Sequence, residues 1–121
     1  MAVKVAINGF GRIGRHVFRI ALKKSNVEIV AINDMFQPEE LGLLLKYDSV
    51  YGKFDGTLEV AGDSFKVNNR TVKVLKEKDP TKLPWGDLGV DLVIESTGVF
   101  RKREQVAMHL TAGAKKAILT V

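Results

Sequence analysis

Gly9, Gly11 and Gly14 stand in a Gly-x-Gly-x-x-Gly pattern within Asn8-Gly9-Phe10-Gly11-Arg12-Ile13-Gly14, and Asp34 arrives about twenty residues after the last glycine. An apolar run from Val3 to Ile7 leads into the pattern and an amphipathic run leaves it. Each glycine has separate physical work. Gly9 permits a tight strand-to-helix turn, Gly11 lets the backbone approach a pyrophosphate, and Gly14 lets helix and strand pack closely. Free amides from Phe10 to Ile13, backed by the helix dipole, then point at an anion. Arg12 either adds charge beside the phosphates or faces water. An Asp34 carboxylate would accept hydrogen bonds from both hydroxyls of an adenosine ribose and repel a 2′-phosphate, which favours NAD over NADP. Arg12 or Lys78 would soften that repulsion. The plainer reading of Asp34 is a strand-end turn residue.

A second cluster, Glu95-Ser96-Thr97-Gly98, directly follows the apolar run Val90 to Ile94. In an open parallel sheet the carboxyl ends of the strands line the ligand crevice. There Ser96 and Thr97 can bond the cofactor and Gly98 can let it pass closely. Phe100 either stacks on the adenine or packs in the core, and Thr120, near the end of the last strand, is a candidate on the nicotinamide side.

Reaction machinery is not expected among these residues. His16 and His109 fall within predicted helices, away from the strand ends, and read as surface or packing histidines rather than bases. Glu39-Glu40 is an adjacent pair suited to a helix N-terminus, and no serine has the setting of a nucleophile elbow. No spacing resembles a metal site. The sequence therefore predicts neither a catalytic residue nor a metal ligand.

The elements that would position these residues alternate strand and helix. Strands are expected over Val3–Ile7, Val27–Ile32, Val90–Ile94 and Lys116–Val121, short and apolar as in a sheet covered on both faces. A helix over Gly11–Lys24 would turn Ile13, Val17, Ile20 and Ala21 to the sheet and Arg12, Arg15, Arg19 and Lys23 to the wetter side. Pro38 opens a short helix to about Leu45, weakened by Gly42, and residues 46–54 read as loop. From Thr57 to Lys76 three alternating runs are separated by Gly62-Asp63 and Asn68-Asn69, which predicts an antiparallel meander inserted into the fold. Residues 79–89 read as an irregular return, and Arg101 to about Thr111 as a helix. The fold class is α/β: a Rossmann-type, mostly parallel sheet with right-handed helical crossovers, one partial domain over residues 1–121, truncated before a second half is complete.

Bulk properties narrow the function classes. The 121 residues suit one compact domain, with 45% hydrophobic and 27% charged residues. No basic region or long apolar tract precedes Val3, and no run reaches membrane-spanning length, so neither a secretory signal nor a membrane partner is expected. The absence of cysteine excludes thiol chemistry within these residues and fits a cytoplasmic setting. A net charge of +5 favours anionic ligands. Its charges are scattered among acids without aromatic interleaving, which argues against nucleic acid.

Longer segments carry a resemblance. Val5-Ala6-Ile7-Asn8-Gly9-Phe10-Gly11-Arg12-Ile13-Gly14-Arg15, Ala31-Ile32-Asn33-Asp34, Leu44-Leu45-Lys46-Tyr47-Asp48-Ser49, Trp85-Gly86 and Glu95-Ser96-Thr97-Gly98-Val99-Phe100 stand in an order that resembles the amino-terminal part of the glyceraldehyde-3-phosphate dehydrogenase family. Erythrose-4-phosphate dehydrogenase is a close competitor, and a non-catalytic NAD-responsive interaction module is a further alternative. The resemblance implies NAD as cofactor and, in the parent, a cytoplasmic homotetramer of glycolysis acting on a sugar-phosphate aldehyde with inorganic phosphate. It implies that Gly9, Phe10, Gly11, Arg12 and Ile13 surround the pyrophosphate, that Asn33 and Asp34 approach the ribose, and that Asn8 also belongs to the cofactor-binding set. Lys78 would lie near the adenine, with Ser96, Thr97, Gly98, Phe100 and Thr120 also lining the cofactor. The family's nucleophilic cysteine and partner histidine match no residue here, so this segment is expected to be inactive alone, with a catalytic domain absent. Exposed edges would then favour self-association or a complementary catalytic chain.

Overall fold

The computed structural model describes residues 3–24, 26–36, 39–42, 47–48, 52–53, 58–67, 70–97 and 103–119. Strands β1 (Val3–Asn8), β2 (Val27–Asn33), β5 (Leu58–Ala61), β6 (Ser64–Val67), β7 (Arg70–Leu75), β8 (Leu92–Glu95) and β9 (Lys116–Leu119) form one sheet in the order β5-β6-β7-β2-β1-β8-β9. β7, β2, β1, β8 and β9 run parallel, whereas β5, β6 and β7 form an antiparallel meander. The expected antiparallel meander is present and joins the parallel sheet directly. Its last strand occupies the third parallel position, pairing Ala31 with Lys73 and Asn33 with Leu75.

Alternation along β1 divides the core. Val5 and Ile7 face one layer with Phe10, Phe18, Phe65 and Val72, while Ala6 faces the other with Leu83, Trp85 and Val93. Helix α1 (Arg12–Ala21) covers the first layer. The rings of Phe10 and Phe18 meet edge to face there at 5.4 Å between centroids. The second layer is closed by the short helix α2 (Trp85–Leu88) and by α3 (Arg103–Val106) and α4 (Met108–Thr111).

Several expectations are corrected. The buried line of α1 is Gly14, Phe18 and Ala21, with Val17 half-buried; Ile13 and Ile20 are each 46% exposed. A Cβ on Gly14 would fall inside contact distance of the Gly9 carbonyl and 3.2 Å from Ile7 Cγ2. That close approach sets the rotation of the helix, and positions four and seven residues on inherit the buried face. The predicted helix from Arg101 becomes two short helices with a turn at Ala107. The segment read as loop contains β3 (Tyr47–Asp48) paired antiparallel with β4 (Gly52–Lys53), and the return over 79–89 contains a 3-10 turn at Pro80–Lys82 and α2. Residues 39–42 are helical, within the short helix expected after Pro38; Pro38, Leu44 and Leu45 lie outside the described residues.

Candidate functional site

At the carboxyl ends of β7, β2, β1 and β8 lies a crevice of about 360 Å³. Asn8, Gly9, Gly11, Asn33, Asp34, Lys78, Ser96 and Thr97 line it, so eight of the sequence-selected residues converge there, together with Met35 and Glu77, which the sequence reading missed. Their convergence follows from the topology. Asn8, Asn33 and Glu95 end three adjacent strands in register, Asn8 opposite Asn33 on one side and Glu95 on the other. The ladder continues beyond them, with the Gly9 amide donating to the Asn33 carbonyl at 2.8 Å and the Ser96 amide to that of Asn8 at 2.8 Å.

The glycine turn has the conformation its sequence requires. Gly9 adopts φ 95°, and a Cβ there would collide with the Ser96–Thr97 backbone. Gly11 is exposed, and a Cβ built on it meets nothing within 4 Å among the described residues beyond its chain neighbours. Open crevice lies over Gly11 at the start of α1, where no side chain caps the helix. Amides at a helix start beneath open space suit a pyrophosphate.

Phe10 departs from expectation. Its side chain is buried in the core, and its amide is not free: it donates to Asp34 Oδ2 at 2.7 Å. Asp34 Oδ1 also accepts from the Phe36 amide at 3.2 Å. The anion-facing amides are thus reduced to the exposed start of the helix, while Asp34 is tied to the glycine turn. Arg12 and Ile13 are exposed and do not line the crevice. Arg15 braces the turn instead, Nη1 donating to the Phe10 carbonyl at 3.2 Å. Gly98, Phe100 and Thr120 lie outside the described residues.

Asn8 and Asn33 line the crevice with their amides engaged in the protein, Asn33 Nδ2 donating to Asn8 Oδ1 at 2.7 Å. On the opposite wall, Ser96 Oγ donates to the Gly9 carbonyl at 2.6 Å. Glu95 beneath it is fully buried, yet its carboxyl stays below the usual carboxylate range. Burial alone would push it up; hydrogen bonds from His109, Thr97 and Asn8 outweigh that cost. His109 is a packing histidine, as expected, but it is not remote from the strand ends: its Nε2 lies 2.7 Å from Glu95 Oε1. Neither periodicity nor spacing signals this pairing. Glu77 lies two residues beyond β7 and reaches the crevice only because that strand pairs in parallel with β2.

Parallel strands ending at a glycine turn, with an aspartate at the next strand end, build a dinucleotide-type crevice. Residues 3–103 match the family described as "Glyceraldehyde 3-phosphate dehydrogenase, NAD binding domain". The chain belongs to the glyceraldehyde 3-phosphate dehydrogenase family. It is 57% identical over 120 residues to the glyceraldehyde-3-phosphate dehydrogenase of Priestia megaterium, 99% of this chain and 36% of that protein. The Geobacillus stearothermophilus enzyme is 56% identical over 120 residues, with the same coverage of both chains. The Thermotoga maritima enzyme is 58% identical over 119 residues, covering 97% of this chain and 36% of the relative. The chain therefore spans about a third of the length of these family members, and it carries the family's NAD binding domain. Among the described residues, no helix is long and apolar enough to cross a membrane.

Proposed function

We propose that the crevice holds NAD with its pyrophosphate over Gly11 and the start of α1, its adenosine ribose on Asp34, and its adenine toward Met35, Glu77 and Lys78. The observation that carries this is the open space above Gly11 beside an aspartate already anchored to the same turn. Asn8 and Asn33 act by holding strand ends in register, Gly9 by admitting the turn, and Ser96 and Thr97 by forming the opposite wall. Arg12 and Ile13 flank the site, and Gly98, Phe100 and Thr120 complete the candidate set. Bound here, NAD supplies a hydride acceptor.

The parent reaction is the phosphorylating oxidation of D-glyceraldehyde 3-phosphate with phosphate and NAD to 1,3-bisphosphoglycerate and NADH, in a cytoplasmic homotetramer. Support comes from relatives that carry that enzyme's name at 56–58% identity. The 121 residues, a cofactor-binding unit without cysteine, bind NAD and do not turn over by themselves. Calorimetric titration of the chain with NAD and NADP, beside a phosphate-dependent NAD reduction assay, tests this. Saturable binding that favours NAD, without reduction, is expected; no binding of either nucleotide, or robust turnover by the chain alone, refutes it.

A further inference from the structure

Below the crevice a chain of buried polar side chains is fixed in polarity from both ends. At one end the Asn33 amide brackets the Glu77 backbone, Oδ1 accepting from its N–H and Nδ2 donating to its carbonyl, each at 2.9 Å. That settles which way Asn33 points. Its Nδ2 donates to Asn8 Oδ1, which leaves Asn8 Nδ2 to donate to Glu95 Oε1 at 2.7 Å. At the other end the Trp85 indole N–H, which can only donate, reaches His109 Nδ1 at 3.0 Å. His109 must then carry its proton on Nε2 and donate it to the same Glu95 oxygen.

Two donors thus converge on Oε1. Two more come from Thr97 to Oε2, its amide at 3.1 Å and its hydroxyl at 2.6 Å. Neither an amide flip nor a change of tautomer can reverse any link without setting donor against donor. Apolar residues of similar volume would fill this space without burying a carboxylate, so stability alone does not call for the arrangement.

We infer that Trp85 and His109 are positioning residues of the cofactor crevice: outside its wall, they fix the Glu95 carboxylate that sets Thr97 and Ser96 against the glycine turn. This rests on the reading of the crevice as the NAD site. The physical link is short. Thr97 is drawn onto Glu95, Ser96 bonds the Gly9 carbonyl, and Gly9 packs on the Ser96–Thr97 backbone. Loosening Glu95 would loosen both sides of the crevice together, and affinity would fall through lost preorganisation.

The test uses the full chain as wild type, His109→Gln, His109→Leu and Trp85→Phe. Each is followed by NAD calorimetry, by urea unfolding, and by the Thr97 amide resonance without nucleotide. Glutamine can accept from Trp85 and donate to Glu95; leucine can do neither. His109→Leu is expected to weaken NAD binding about tenfold, the scale of one hydrogen bond to a charged group, and to shift the Thr97 amide. His109→Gln is expected to recover NAD affinity to within about threefold of wild type. Trp85→Phe, which removes the N–H that orients the imidazole together with part of a buried ring, should fall between them.

A folded His109→Leu with wild-type affinity and an unmoved Thr97 amide overturns the inference, as does His109→Gln no better than His109→Leu. If His109→Leu does not fold, unchanged NAD affinity in Trp85→Phe overturns it and weakened affinity supports it. Wild-type protein that binds no NAD would overturn the cofactor reading itself. The nucleotide-free Thr97 shift would then still show whether His109 positions that wall.

Discussion

Replacing Gly14 with alanine separates two physical expectations of opposite sign. Gly14 is the third residue of α1, and alanine is the better helix former by up to about 1 kcal/mol. Judged by local propensity, Gly14→Ala should stabilise the chain. The packing predicts the reverse. The new Cβ would press on the Gly9 carbonyl, with Ser96 Oγ at 3.0 Å and Ile7 Cγ2 at 3.2 Å. A backbone carbonyl cannot rotate aside as a side chain can, so the helix must lift from the sheet or the glycine turn must shift. Overpacking of this kind costs about 1–3 kcal/mol, and a backbone partner places this case at the upper end. The expected net loss is about 2 kcal/mol, lowering Tm by roughly 8 °C for a chain of this size. Urea unfolding followed by circular dichroism measures it. Gly11→Ala is the paired control, because among the described residues its methyl meets nothing within 4 Å beyond its chain neighbours. It should cost less than about 1 kcal/mol as a changed N-cap, while weakening NAD binding by intruding on the crevice. Gly14→Ala as stable as wild type would refute the contact that sets the rotation of α1.

Three further outcomes follow from named contacts. Glu95 is held below its ordinary range in the folded state, so the stability it contributes is fully present above the ordinary glutamate value and disappears as pH falls through the depressed one. Urea midpoints between about pH 6 and pH 3 should therefore drop towards acid. Glu95→Gln should be weaker at neutral pH and show a shallower acid slope, because its amide nitrogen must face at least one of the converging donors; an unchanged slope counts against this account. Asp34→Asn removes the charge opposed to a 2′-phosphate and should narrow the ratio of NAD to NADP affinity by about tenfold by calorimetry. A preserved ratio would place that discrimination elsewhere. Phe18→Ala empties the centre of the layer under α1 and should cost about 3–5 kcal/mol, a large share of the stability of a typical domain. A loss below about 1 kcal/mol would mean that this layer is not well packed.

Local pattern was informative where local chemistry controls structure. β1, β2 and β8 were legible because strands covered on both faces need apolar runs, and the turn at Gly9 because few other residues tolerate its φ. The phase of α1 was misread because Ile13 and Ile20 look like core residues. The deciding contact, Gly14 against the Gly9 carbonyl, lies across a turn that periodicity does not sense. The antiparallel pairing of β5 to β7 was readable from alternation, whereas the parallel pairing of β7 with β2 joins residues far apart in sequence. The same limit hid Glu77, which becomes a crevice residue only through that pairing. It also hid the Trp85–His109–Glu95 connection, whose three members come from separate elements and share no spacing rule.

The most direct test of the cofactor site is a crystal structure of the chain with NAD. Pyrophosphate oxygens over Gly11 and ribose hydroxyls within hydrogen-bond distance of the Asp34 carboxylate are the predicted result. NAD bound elsewhere, or seated with its ribose away from Asp34, would contradict the account.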